Sequence, residues 1–111
     1  MKQTGGDARL HFAEMFGALG HETRLAIVRL LLVAHPDGMV VGMIQEELKL
    51  AASTLSHHLE TLHRSGVVTQ SREGQHLRYR ASADGLRDLL AFLYAECCTR
   101  NAVVPRSAVT R

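Results

Sequence analysis

Short polar side chains between residues 53 and 64 have the chemistry to read nucleic acid. On an α-helix of 3.6 residues per turn they share one face, which consists of Ser53, His57, Glu60 and Arg64 and is flanked by Thr54 and Thr61. Hydroxyl and imidazole groups donate or accept hydrogen bonds at base edges and phosphates, so such a helix can enter a major groove without a long run of positive charge. An ordinary solvated helix face would show the same pattern.

A basic segment follows this helix. The formal net charge of the chain is only +2, but four arginines between Arg64 and Arg80 stand against one acid, Glu73. Residues 67–71 and 77–81 predict two strands, joined by a turn over residues 72–76. A two-stranded hairpin is marginal alone in water and must pack on the helices, which leaves Arg72, Arg78 and Arg80 free to reach phosphates or a minor groove. The same arginines could equally keep an edge strand soluble.

The elements that position these residues are mostly helical. Apolar periodicity predicts helices over residues 8–19, 22–33, 41–48 and 84–99, besides the one that begins near Ala51 and ends before Ser65. The latter carries an inward stripe of Leu55, Leu59 and Leu62. Lys49 and Leu50 connect it tightly to the short helix before it, which predicts a helix-turn-helix. The fold class expected is mainly α with a β-hairpin wing (α+β), with about five helices and two strands.

Length and composition predict one small domain. The chain has 111 residues, 46% of them hydrophobic, and dimerisation would add much to the area it can bury. We expect a disordered leader over residues 1–7, a folded domain over 8–99 and a flexible tail over 100–111. No apolar run approaches the roughly 20 residues of a membrane span, and residues 1–6 lack the apolar core of a secretory signal. We therefore expect a soluble, cytoplasmic protein with no membrane partner.

Two blocks of sequence resemble a known family. ALGHETRLAIV (18–28) and STLSHHLETLHRSGVV (53–68) look like the two signature blocks of the ArsR/SmtB family of bacterial repressors, and the resemblance covers about residues 8–99. It implies a winged helix-turn-helix homodimer that pairs through its terminal helices. It also implies binding to double-stranded DNA, at an inverted-repeat operator in the protein's own promoter, and release by a metal or metalloid.

The resemblance also carries residue roles. By position, Ser53, Thr54, Ser56 and His57 resemble the DNA-reading residues, and Arg72, Arg78 and Tyr79 resemble those of the wing. Many relatives place a serine N-cap where this chain has Ala51, and such a cap typically contributes about 1 kcal/mol. Ser53 is then the candidate replacement cap, which would withdraw its hydroxyl from DNA.

Two adjacent thiols are the candidate inducer site. The Cys-Val-Cys of arsenic-responsive relatives is replaced by Gln45, Glu46 and Glu47, and the last helix lacks the histidines of the zinc sensors. Residues 95–99 instead resemble a branch whose thiolates at the end of this helix bind arsenic, here Cys97 and Cys98. Thiolates select soft ions, and two alone fall short of the four ligands that zinc prefers.

The number of thiols bears on the inducer. Two thiolates satisfy a trivalent arsenical with one organic substituent, whereas arsenite or antimonite needs a third ligand, and no cysteine follows Cys98. We therefore expect an organoarsenical inducer, or a weaker response to arsenite or antimonite, and no obligatory cofactor. Cys97 also continues the apolar stripe of its helix, so packing, or redox switching between subunits, is the alternative.

Other function classes are weaker. Ser53 and His57 lie one turn apart, but no acid follows to orient the imidazole and no oxyanion hole is indicated, so we expect no enzyme. A winged helix used as a protein-interaction module would not need a basic wing. A DNA-binding regulator that is redox-responsive or lacks a metalloid inducer remains open. His58 lies near the leucine stripe of its helix, and we expect it to be half-buried with its polar atoms satisfied.

Overall fold

The computed structural model describes the backbone of residues 5–101 and the side chains of residues 7–95. The elements in chain order are α1 (Gly5–Leu19), α2 (Glu22–Val33), β1 (Met39–Val40), α3 (Val41–Leu48), α4 (Ala52–Arg64), β2 (Val68–Glu73), β3 (His76–Ala81) and α5 (Ala83–Asn101). The expected winged helix-turn-helix with five helices is therefore confirmed, and α3, α4 and the β2–β3 hairpin are its helix-turn-helix and wing.

The sheet has three antiparallel strands, not the two that the sequence predicts. Strand β1 pairs with β3, so that the order is β1-β3-β2. A strand of two residues is too short to show alternation, and residues 39–41 were therefore expected to lead directly into the helix. The turn of the wing is also tighter than expected, because only Gly74 and Gln75 separate β2 from β3.

One core unites the five helices and the sheet. It is built from buried apolar residues of every helix, of both long strands and of the connection between α4 and β2: Met15, Ala18, Ile27, Val28, Leu31, Ile44, Leu55, Leu59, Leu62, Val67, Val68, Tyr79, Ala81 and Leu89. The predicted stripe of α4 supplies three of them. Because these leucines are buried at the centre, the opposite face of α4 must point outward.

Two backbone features, one before α4 and one after it, orient this helix. Lys49 ends α3 in the left-handed conformation (φ 56°), and its N–H donates to the carbonyl of Gln45 at 2.8 Å. Gly66 (φ +90°) ends the next helix: its N–H donates to the His63 carbonyl and that of Val67 donates to the Leu62 carbonyl. This pair of bonds is the helix stop that Gly66 was predicted to make, and it directs buried Val67 into the wing.

The terminal helices extend beyond their expected limits. Helix α1 begins at Gly5, inside the expected leader, and α5 runs from Ala83 to Asn101, into the expected tail. Residues 1–4 and 102–111, where the rest of those predictions falls, lie outside the described residues. Phe12 of α1 contacts Phe92 of α5 with ring centroids 4.5 Å apart, so the two helices are neighbours. No helix of the described chain has the length and apolarity that crossing a membrane would require.

Gly38, between α2 and β1, offers a test of this packing. It is buried at φ +72°, and a Cβ there would overlap the backbone carbonyl of Tyr79. We expect Gly38→Ala to lower the free energy of unfolding by at least about 3 kcal/mol, because left-handed strain and the overlap act together. Gly42→Ala in α3, where a Cβ meets nothing within 4 Å, is the matched control and should be neutral or stabilising. Urea unfolding at one protein concentration compares them, and equal midpoints would contradict the prediction.

Candidate nucleic-acid interface

The N-terminal half of α4 presents four of the predicted DNA-reading residues together. Ser53, Thr54, Ser56 and His57 are all exposed. The N-cap is Ala51, which makes no side-chain capping bond, and Ser53 lies inside the first turn of the helix. The suggestion that Ser53 replaces the missing cap is therefore wrong. Its hydroxyl stays available to a ligand, and together the four side chains form a polar patch that we call the reading patch.

The C-terminal half of α4 differs from the reading patch. Thr61 is half-buried, and its hydroxyl donates to the backbone carbonyl of His57 at 3.2 Å. Arg64 is exposed and forms an ion pair with Glu60 at 3.5 Å. At a rise of about 1.5 Å per residue, Arg64 lies roughly 16 Å along the helix from Ser53. Arg64 is thus set apart from the other predicted contacts, whereas Thr61 lies one turn beyond His57 with its hydroxyl already bonded to the backbone.

The wing divides its arginines between two faces. Arg72 is the cross-strand partner of Leu77, on the same face as buried Tyr79. Arg78 and Arg80 alternate with these residues along β3 and therefore lie on the opposite face. The sequence predicted one basic wing, but Arg72 and Arg78 cannot point in the same direction.

Arg78 and Arg80, on the outer face of the hairpin opposite Tyr79, are held by hydrogen bonds to neighbouring groups. Arg78 Nε donates to Glu73 Oε2 at 2.9 Å, and its Nη1 donates to the backbone carbonyls of Asp37 and Gly38 at 3.2 and 3.3 Å. Arg80 Nη1 donates to Ser71 Oγ at 2.9 Å. Arg78 therefore joins the wing to the loop before β1. Within the described part of the chain Arg72 makes no such bond, so its guanidinium is the wing charge free to reach a phosphate.

Tyr79 does not lie where the resemblance implied. Its side chain is 5% exposed, in the core. Its hydroxyl accepts a hydrogen bond from Gln70 Nε2 at 2.6 Å, across the β2–β3 ladder. A buried ring with a satisfied hydroxyl stabilises the wing from within, so the structure shows Tyr79 as a packing residue. Its expected contact with DNA stays a prediction, without support from this position.

A cluster of histidines lies behind the reading patch. His58 is only 8% exposed, more deeply buried than the half-buried position that the sequence suggested, and its Nδ1 accepts from Arg24 Nη1 at 3.4 Å. Its ring lies 4.7 Å from that of His21 and 5.8 Å from that of His57. Burial, and then the positive charges of His21, Arg24 and His57, lower the pKa of His58. The neutral ring is thus the form that is buried on the inner side of α4.

Three further residues, Cys97, Cys98 and Arg24, belong to neither the reading patch nor the wing. Cys97 and Cys98 belong to the backbone of α5, but their side chains lie outside the described residues. Arg24, which bonds His58 and the backbone carbonyl of Ala18, was not predicted as a site residue. Its one signal in the sequence is its place inside the first signature block, because no periodicity marks a side chain that bonds backbone carbonyls.

The geometry of the patch and the wing by itself defines a class of protein. An outward polar patch on the second helix of a helix-turn-helix, beside a hairpin with a free arginine, suits the major groove and the adjacent backbone of duplex DNA. Residues 19–71 match the family model described as a helix-turn-helix domain.

Known proteins agree with this class. An uncharacterised HTH-type transcriptional regulator of Methanocaldococcus jannaschii, MJ1325, is 38% identical over 78 residues, covering 70% of this chain and 85% of the relative. The transcriptional activator HlyU of Vibrio cholerae is 32% identical over 84 residues, covering 76% and 75%. Its structure aligns with a TM-score of 0.65 at 28% identity, over 82% and 96% of the two chains, and a structure described as reduced HlyU gives 0.63 at 27%, over 82% and 93%.

A third relative is a homodimer. The homodimeric winged helix-turn-helix DNA-binding domain Mb0332 of Mycobacterium bovis, described as a possible ArsR-family transcriptional regulator, aligns with a TM-score of 0.66 at 27% identity, over 84% and 85% of the two chains. The chain belongs to the winged helix-turn-helix transcriptional regulators of the ArsR family. Because its relatives are transcriptional regulators, the expectation that it is not an enzyme is confirmed. Membership of an arsenic-responsive branch stays a prediction.

The free wing arginine generates a test. Arg72→Gln should weaken binding to duplex DNA and reduce the slope of log affinity against log salt by about 0.9, the value for one lost phosphate contact. The control is Arg87→Gln in α5, an exposed arginine paired with Asp84 at 3.1 Å, which should keep the slope of the unmodified protein. Fluorescence anisotropy on one duplex at several salt concentrations measures both. An unchanged slope for Arg72→Gln would place the phosphate contact elsewhere.

The buried histidine generates a second test. Its pKa is lower in the folded chain than in the unfolded one, so the unfolded state takes up the proton first. The free energy of unfolding that the neutral His58 ring contributes is present above about pH 6.5. It is lost as the pH falls towards the lowered pKa of the folded chain. We expect His58→Gln to flatten the decline of unfolding free energy between about pH 7.5 and 5. His63→Gln removes an exposed histidine of the same helix as a control, and equal flattening in both would reject His58 as the source.

Proposed function

We propose that this regulator is a homodimeric repressor that binds an inverted-repeat operator in its own promoter. The observation that carries the proposal is the reading patch, four short polar side chains held outward by a helix whose opposite face is buried. Side chains of this kind pair with base edges, while Arg72 of the wing neutralises a phosphate. Direct contacts to several bases on each half-site would supply the sequence preference.

A dimer is supported by the terminal helices. Leu10 of α1 and Leu90 and Leu93 of α5 are large apolar side chains with 62%, 52% and 43% of their surface exposed. Helices α1 and α5 are neighbours through the Phe12–Phe92 contact, so these residues can be covered together by a second copy. The homodimeric relative Mb0332 supports the same assembly. In such a dimer the two α4 helices must lie about 34 Å apart to enter successive major grooves.

The proposed inducer is a trivalent arsenical bound by Cys97 and Cys98. Two thiolates satisfy an arsenic atom that carries one organic group, whereas arsenite or antimonite would need a third ligand. Neighbouring helical side chains diverge by about 100°, so binding one atom requires the end of α5 to bend or unwind. If α5 lies in the dimer interface, this distortion changes the spacing of the reading patches. By linkage, the inducer weakens DNA binding only as far as DNA weakens inducer binding.

A second candidate keeps DNA binding and changes the signal. HlyU is described as an activator, and one of its structures is described as the reduced form. A regulator with an adjacent cysteine pair could respond to oxidants by linking its subunits, or could lack a metalloid inducer altogether. The direction of regulation would then depend on where the operator lies relative to the promoter. This alternative predicts DNA binding that arsenicals leave unchanged.

Anisotropy of the reduced protein on its own upstream DNA separates the candidates. Phenylarsenite or methylarsenite should release the protein, arsenite and antimonite should act more weakly, and zinc should have no effect. The Cys97→Ser, Cys98→Ser double variant should bind DNA as the unmodified protein does and resist release. Equal sensitivity of the double variant would falsify the thiolate site, whereas release by an oxidant alone, reversed by a reductant, would favour the redox candidate.

A further inference from the structure

A cleft of about 320 Å³ opens between α1, α2 and the C-terminal half of α4. Its walls include Glu14 of α1, Arg24 of α2, and Thr61 and Arg64 of α4. The volume lies at the lower end of the range for small-molecule sites. The cleft is separate from the reading patch. None of its lining residues belongs to α5, so it is also distinct from the proposed thiolate site.

Arg24 gives the cleft its chemistry. The guanidinium is half-buried and donates from Nε to the Ala18 carbonyl at 2.7 Å, from Nη2 to the Gly17 carbonyl at 3.4 Å and from Nη1 to His58 Nδ1 at 3.4 Å. All three partners are neutral, and among the described residues no carboxylate lies within ion-pair distance. Of the five N–H donors of an arginine, three are used and two remain. A fixed, partly desolvated guanidinium with spare donors suits a carboxylate or phosphate group.

The opposite wall supplies a second cation. Arg64 is paired only with Glu60, at 3.5 Å, in the described chain, and both side chains are more than two-thirds exposed. Such a surface pair contributes little, so the Arg64 guanidinium can turn towards the cleft at small cost. The hydroxyl of Thr61 already donates to a backbone carbonyl. The attraction for an anion therefore comes from the two arginines, opposed by the single negative charge of Glu14.

We propose that this cleft binds a small anion that carries a carboxylate or phosphate group, held by Arg24 and Arg64. The bound anion contacts α1, α2 and α4 at once. It also engages Arg64, which lies on the outer face of α4 and which the sequence predicts as a DNA contact, so the anion and DNA would compete for that side chain. This competition rests on the proposed function, whereas the binding of the anion does not.

The test uses the full chain, labelled with ¹⁵N, and two probes, benzoate and inorganic phosphate, at constant ionic strength. A saturable shift of the Arg24 Nε–H resonance is expected with at least one probe. Arg64→Gln should weaken binding at least about threefold through the loss of one charge, and Glu14→Gln should strengthen it. Arg24→Gln should abolish binding. Arg87→Gln lies outside the cleft and controls for loss of a surface arginine.

Each outcome decides the proposal. Saturation by benzoate alone identifies an organic carboxylate as the ligand class, and saturation by phosphate alone identifies a phosphoryl group. No saturable shift, or binding that is the same in Arg64→Gln and Glu14→Gln as in the unmodified protein, overturns the site. Both of these exposed variants remain informative if Arg24→Gln does not fold.

A DNA arm separates this inference from the proposed function. At constant ionic strength the bound probe should lower DNA affinity in the unmodified protein and have less effect in Arg64→Gln, whose own DNA affinity is the baseline. A protein that binds the probe but no DNA would reject the proposed function and leave the anion site standing. DNA binding without any probe binding would do the reverse.

Discussion

The burial of one leucine stripe is the constraint on which the rest of the structure depends. Leu55, Leu59 and Leu62 lie at the centre of the core, in contact with residues of the other helices and the sheet. Burying each such side chain contributes about 1.5–3 kcal/mol, so α4 cannot rotate about its axis without losing most of that stabilisation. The reading patch consequently keeps one direction, and a rigid scaffold of this kind is what sequence reading by hydrogen bonds requires.

The wing shows how a short hairpin is kept both stable and basic. Tyr79 packs inward while Arg78 joins the outer face to the carbonyls of Asp37 and Gly38, so β1 and the loop before it hold the hairpin. Glu73 accepts from Arg78 and lies 3.9 Å from Arg80, which offsets positive charge on that face. Only Arg72 keeps its charge without a partner in the described chain. The local excess of arginine is therefore mainly structural, and a smaller part of it is available to DNA.

Arg24 connects the elements that a regulator must couple. Through two carbonyls it holds the end of α1, and through His58 it reaches the buried side of α4. The histidine is neutral for physical reasons, namely burial and neighbouring positive charge. An anion in the adjacent cleft and a thiophilic ligand on α5 would therefore act on different parts of one assembly.

Local pattern determined most of the architecture. The five helices, the hairpin, the inward leucines and the outward hydroxyls all follow from periodicity and turn residues, and the two signature blocks placed the chain in its family. Strand β1 was not predicted, because two residues show no periodicity and its partner strand is distant in sequence. The sequence also did not predict the burial of Tyr79, the division of the wing arginines or the role of Arg24. These depend on strand register and on backbone acceptors, which exist only once the chain has folded. Spacing along the chain thus fixed which residues share a face, while tertiary packing decided which faces meet water and which charges keep no partner.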